Sequence, residues 1–237
     1  MKYRFLSHIL ASPLPTYGGQ GSVLIDPVKS IQGGDSANVF RITIESHWGT
    51  HVDAPYHFFD NGKKITDYPA EFWIFKSPHT IQVGLKPSEV LLCGDWLNAI
   101  PPGTDILLFQ SGWENRRGEK IYSVENPGIH PDVGLYLREN LPSIRMIGID
   151  WISISPYQDR ELGREAHRVF LDQKGRNNPV LLIEDMDLSG NFKKLKEVWV
   201  SPLRVERVDS APCTVIGDFS EIVRQLDYIL PGQNFNP

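Results

Sequence analysis

The sequence predicts an α/β domain, mixed α+β with strands in the majority, and three observations point to it. Short apolar runs bounded by Gly, Pro or Asp recur along the chain, as in strands buried on both faces. Two longer segments carry apolar residues at helical spacing. At 237 residues the chain suits one domain, 1–237, with a substantial core. The first expected strand is Val39–Ile44, β-branched and partly alternating. Others are expected within Lys76–Val83, at Asp105–Phe109, Ile144–Ile149 and Val180–Ile183, within Val198–Val208, and at Cys213–Ile216. A helix over Asp132–Asn140 follows Pro131 and carries Val133, Leu135, Tyr136 and Leu137. A second, Glu161–Leu171, carries Leu162, Ala166, Val169 and Phe170. Ser220–Gln225 is read as a last short helix. Trp113–Pro131 is long, polar and punctuated by Gly and Pro, the look of a functional loop.

Composition excludes several classes. With 41% hydrophobic and 22% charged residues this is an ordinary globular chain. A net charge of -5 and the lack of a dense Lys/Arg tract argue against a nucleic-acid partner. Cys93 and Cys213 are too few for a disulfide framework or a thiolate metal cage. No signal peptide is apparent, and no run approaches the ~20 apolar residues of a membrane span. The expectation is therefore a cytoplasmic protein with no membrane partner.

The segment Ser46-His-Trp-Gly-Thr-His-Val-Asp-Ala-Pro-Tyr-His-Phe58 holds three of the seven histidines, His47, His51 and His57, with Asp53 among them. Imidazole and carboxylate together suit zinc, manganese or iron. His47 and His51 have the spacing of one helical face, but Trp48 stands where a zincin would place its general-base glutamate. Gly49 weakens a helix and Pro55 breaks one. A strand entering an irregular segment is expected instead, with His51 and Asp53 sharing a face.

The remaining ligands must come from elsewhere, and His167 and Glu184 are the candidates. His167 sits beside the apolar positions of its helix; a lone helical histidine is otherwise usually a surface or hydrogen-bonded group. Glu184 ends the run Pro179-Val-Leu-Leu-Ile183, where open sheets place functional groups, although such a residue can simply terminate a strand. His8, His79 and His130 are unclustered. Trp48, Phe58, Phe59 and Tyr68 are candidates for a pocket or for the core. Asp159-Arg160-Glu161 reads as solvated charge. Ser111-Gly112 lacks the Gly-x-Ser-x-Gly frame of a serine hydrolase.

The run His47-Trp-Gly-Thr-His51-Val-Asp53-Ala-Pro-Tyr-His57 resembles the His-x-Gly-Thr-His-x-Asp-x-Pro-x-His signature of the putative cyclase family, which includes bacterial kynurenine formamidase and isatin hydrolase. Leu6-Ser7-His8 with Pro15-x-Tyr17-Gly18, Gly148-Ile149-Asp150-x-x-Ser153, and Ala166-His167 with Ile183-Glu184-x-x-x-Leu188 are similar to further segments of that family. The resemblance implies the swivelling β/β/α fold and two divalent metals per chain, zinc or manganese. By it His47, His51 and Asp53 hold one metal, and Asp53 bridges to a second held with His167 and Glu184. His57 then matches the catalytic general acid/base. The implied activity is arylformamidase-like hydrolysis of a formamide or other amide C–N bond in a small aromatic substrate. A homodimer or homotetramer is also implied. Two departures bear on the substrate: the segment Gln173–Asn178 is long, and Trp151 stands where small residues are commoner. An isatin-type cyclic-amide hydrolase is the enzymatic rival, and a non-catalytic binding protein with a vestigial site is the rival from another class.

Overall fold

A computed structural model describes residues 2–220. Its strands are β1 (Tyr3–Phe5), β2 (Leu24–Lys29), β3 (Val39–Thr43), β4 (His51–Asp53), β5 (Ile74–Phe75), β6 (Pro78–Gln82), β7 (Val90–Leu91), β8 (Ile106–Gln110), β9 (Gly128–Ile129), β10 (Met146–Ile149), β11 (Leu181–Glu184), β12 (Glu197–Pro202) and β13 (Ser210–Asp218). The α-helices are α1 (Lys120–Val124), α2 (Pro131–Asn140) and α3 (Arg160–Leu171). No helix among the described residues is long and apolar enough to cross a membrane. The helix expected at Ser220–Gln225 lies, apart from Ser220, outside the described residues.

One mixed sheet runs β5-β12-β13-β4-β11-β10-β8-β6, with β1 also paired to β13. Strands β11, β10, β8 and β6 are mutually parallel, and β4 runs antiparallel to both β11 and β13. The chain steps from β5 at one end of the order to β6 at the other through Lys76 and Ser77 alone, so the sheet nearly closes. The Asp105 carboxylate accepts both of those N–H groups and fixes the step.

The period-2 pattern of the central strands explains their burial on both faces. From β8, Leu107 and Phe109 join a core that includes Val133, Leu137, Ala166 and Phe170 of α2 and α3. Ile106 and Leu108 join the second core, with Val52, Phe75, Ala211 and Val215. In α3 the buried positions Gly163, Ala166, His167, Phe170 and Leu171 follow helical spacing, and Asp159 caps the helix by accepting from the Leu162 N–H. Asp159 is thus a cap rather than solvated charge.

The structure refines three further expectations. Strand β3 forms where expected, at Val39–Thr43; among the described residues it pairs with β2, and every residue of that ribbon is exposed. Trp113–Pro131 contains α1 and β9, and Trp113, Tyr122 and Ile129 anchor it to the core. Trp151 is fully buried in the first core, so it does not shape a pocket.

The long Gln173–Asn178 segment is held by Arg138 of α2, which is buried. Its guanidinium donates to the carbonyls of Val169, Asp172 (2.6 Å) and Asn177 (3.1 Å). Losing those donors leaves part-buried carbonyls unpaired, so Arg138→Ala is expected to lower stability by about 1–3 kcal/mol. Urea melts check this; Arg138→Lys recovers only part, because an ammonium cannot span the three acceptors as a planar fork does.

Candidate metal centre

The residues picked out by sequence converge on the face of the sheet covered by α3. The register sets Glu184 opposite His51 and Leu182 opposite Asp53, so His51, Asp53 and Glu184 project to the same side. His167 descends from α3 onto them. Gly49 precedes the short strand with φ +71°, and its carbonyl lies 2.8 Å from His51 Nδ1. On α3, the Gly163 carbonyl lies 2.8 Å from His167 Nδ1, and a Cβ at Gly163 would overlap Ser155 Oγ.

A carbonyl can only accept, so both rings carry hydrogen on Nδ1 and turn Nε2 inward. His51 Nε2 faces Asp53 Oδ1 at 3.4 Å and Glu184 Oε2 at 3.5 Å. His167 Nε2 faces Asp53 Oδ2 and Glu184 Oε1, each at 3.6 Å. Glu184 is anchored by the Ile154 N–H (2.7 Å) and the Ser153 hydroxyl (3.0 Å), both donating to Oε1. Asp53 is 0% exposed, and neither of its oxygens, nor His51 Nε2, has a hydrogen-bond partner. Buried acceptors pointed at one another are costly unless a cation lies among them. This donor set of imidazole and carboxylate fits a divalent transition metal.

His47 and His57 complete the cluster. His47 Nδ1 lies 3.0 Å from Asp53 Oδ1, and its Nε2 lies 2.8 Å from Asp209 Oδ2. His57 Nδ1 meets the same Asp209 oxygen at 2.8 Å. His47, Asp53 and His57 form one group able to hold a metal, and His51, Asp53 and Glu184 form another. Phe58 stacks on the His167 ring (5.0 Å, 24°), so it walls the centre. Tyr68, by contrast, is core. Sequence reading missed Asp209, which precedes β13 and has no histidine near it in the chain. It also missed Arg117 and Tyr122, which bond the buried Asp185 carboxylate and brace the turn after β11.

Protons take a cation's place here. Burial opposes charge on His47, but Asp53 and Asp209 outweigh it and carry its pKa up to about 10. Burial likewise opposes charge on His167, yet Asp53 and Glu184 raise its pKa to about 9. Burial works against the Asp53 carboxylate, but His47 and His51 hold its pKa well below the usual range. A metal needs the imidazole lone pairs, so loading at pH 7 is expected to release about two protons per chain. Affinity therefore climbs with pH until His47 and His167 have titrated. Calorimetry in two buffers of different ionisation enthalpy counts the protons; a buffer-independent heat would contradict this.

Comparisons with known proteins place the chain among relatives. The family model described as "Putative cyclase" matches residues 5–156. A kynurenine formamidase of Bacillus mycoides is 25% identical over 211 residues, 89% of this chain and 94% of the relative. A kynurenine formamidase of Geobacillus thermodenitrificans is 32% identical over 137 residues, 56% of this chain and 61% of that one. Isatin hydrolase A from Labrenzia aggregata, solved bound to benzyl benzoate, superposes with a TM-score of 0.73 at 20% identity, covering 91% of this chain and 92% of its own. A solved potential metal-dependent hydrolase with cyclase activity has a TM-score of 0.71 at 20% identity over 93% and 98% of the two chains. The structural likenesses establish the fold.

Proposed function

The chain belongs to the putative cyclase family, and on that premise we propose that it is a metal-dependent hydrolase cleaving a formamide or other amide C–N bond of a small aromatic substrate. The observation that carries this reading is the buried set of opposed acceptors, His51 Nε2, both Asp53 oxygens and the Glu184 carboxylate. His47, His51, Asp53, His167 and Glu184 would hold two divalent metals, zinc or manganese, with Asp53 between them. Bound there, the metals would supply Lewis-acid polarisation of the substrate carbonyl and a more acidic water.

The chain's own residues supply the proton transfers. With hydrogen on Nδ1 held by Asp209, His57 presents Nε2 as a base. It takes a proton from the attacking water and returns it to the leaving nitrogen, so amide and water become amine and carboxylic acid. Imidazole suits both steps, because one ring nitrogen can accept a proton and give it back. The names of the relatives, kynurenine formamidase and isatin hydrolase, support an amide substrate of this kind. A panel of an N-formyl aryl amine against a five-membered cyclic amide, with zinc- or manganese-loaded protein, tests it. Turnover of the first supports the formamidase reading, and turnover of the cyclic amide alone favours the isatin-type one. Stoichiometric metal without turnover of either would replace both with a binding protein.

The protein is further proposed to work as a homodimer or homotetramer. The β2–β3 ribbon supports this: Ile25 and Ile42 face each other across it, as do Pro27 and Phe40, yet Phe40 is 57% and Ile42 62% exposed. A two-stranded ribbon is marginal alone, and such an apolar surface suits a second copy. Phe40→Asp with Ile42→Asp is expected to shift sedimentation to the monomer while metal content holds.

A further inference from the structure

Asp209 belongs to no part of the signature segment, lying 152 residues beyond His57 along the chain. The sheet brings it back. Ser210 pairs with Asp53 across β4 and β13, and the Ala54 N–H donates to the Asp209 carbonyl at 3.0 Å. The residue therefore sits beside the turn Pro55–His57 that carries His57. Its side chain is about a third exposed, so it is not a core ion pair.

One oxygen, Oδ2, meets His47 Nε2 and His57 Nδ1, both at 2.8 Å, while Oδ1 accepts from the Ser46 hydroxyl at 3.3 Å. A carboxylate accepts only, so both ring nitrogens donate. The consequence differs between the rings. His47 keeps hydrogen on Nε2 and turns Nδ1 to Asp53, whereas His57 keeps hydrogen on Nδ1 and leaves Nε2 as the nitrogen not held by Asp209. The two rings lie 4.2 Å apart, so a shift in either would disturb the other.

We infer that Asp209 is a positioning residue that sets opposite tautomers in His47 and His57 through one oxygen, tying metal binding to proton transfer. This rests on the hydrolase reading above, in which His47 is a ligand and His57 the proton carrier. Carboxylates that orient a ligand histidine in this way typically matter about 10–100-fold for metal affinity or activity.

The test uses the full chain with Asp209→Ala, Asp209→Asn and His57→Ala, and the double variant Asp209→Ala/His57→Ala. Zinc affinity is read by competition with a fluorescent chelator, and kcat and KM are read at saturating zinc. Asp209→Ala is expected to lose about 10–100-fold in zinc affinity and a similar factor in kcat, with KM little changed. The double variant should turn over no more slowly than His57→Ala alone, because Asp209 acts on proton transfer through His57. Asp209→Asn retains an acceptor oxygen and should lie between wild type and Ala, which also serves if Ala does not fold. Losses that multiply in the double variant, or wild-type affinity and kcat in Asp209→Ala, overturn the proposal. If wild type binds zinc but hydrolyses nothing in the panel, the hydrolase reading fails separately; unchanged zinc affinity in Asp209→Ala then overturns the positioning role by itself.

Discussion

Asp53→Ala is expected to lose metal and turnover together, the largest effect of any single substitution in the centre. The Asp53 carboxylate is wholly buried, and its two oxygens face different partners: Oδ1 meets His47 and His51, Oδ2 meets His167. Among the described residues Asp53 alone meets all three of His47, His51 and His167, since Glu184 meets His51 and His167 but not His47. If two metals share the centre as proposed, each would lose an anionic ligand in this variant, and His47 and His167 lose the charge that raises their pKa. Elemental analysis of protein offered zinc should fall from about two metals per chain to near none. Asp53→Asn is the control for folding. It keeps the side-chain volume but removes the charge that pairs with His47 and His167, so the metal-free variant should melt lower than metal-free wild type at pH 7, and a retained near-UV circular dichroism spectrum shows that metal loss is not unfolding. An Asp53→Ala protein that still bound stoichiometric metal would remove Asp53 from the ligand set.

His57→Ala is expected to keep its metal and lose about 10²–10⁴-fold in kcat, the usual contribution of a positioned general acid/base. The geometry separates its role from those of the other histidines. His51 and His167 turn Nε2 into the buried acceptor set, whereas His57 is about a quarter exposed, with Nδ1 committed to Asp209. His57 nevertheless lies close enough to His47 and Asp53 to complete a metal group. Metal analysis of the same variant decides between these roles: retention with slow turnover supports proton transfer, and loss equal to that in Asp53→Ala makes His57 a ligand.

The strands and helices legible in the sequence were those with a repeating pattern. The double-faced runs at 106–110, 146–149 and 181–184 and the helices at 131–140 and 160–171 stand close to where periodicity set them. Short strands such as β4, β5, β7 and β9 were not legible, because two or three residues show no period. Strand β3 was legible from its β-branched, partly alternating residues, but its exposure was not, because alternation records propensity and not what covers a strand.

The sequence by itself determined the chemistry on offer: three histidines and an aspartate within eleven residues of one another, with Gly49 and Pro55 excluding a helix. It also determined that Glu184 would end a buried strand, since apolar runs stop at the first ionisable residue. Tertiary structure alone decided which groups meet. Strand register set Asp53 beside Glu184, α3 packing lowered His167 onto both, and the return of β13 against β4 delivered Asp209. Local sequence encodes the conformation of neighbours through periodicity and sterics. Contacts across more than a hundred residues follow from how a nearly closed sheet buries its two faces, and no spacing rule reports that.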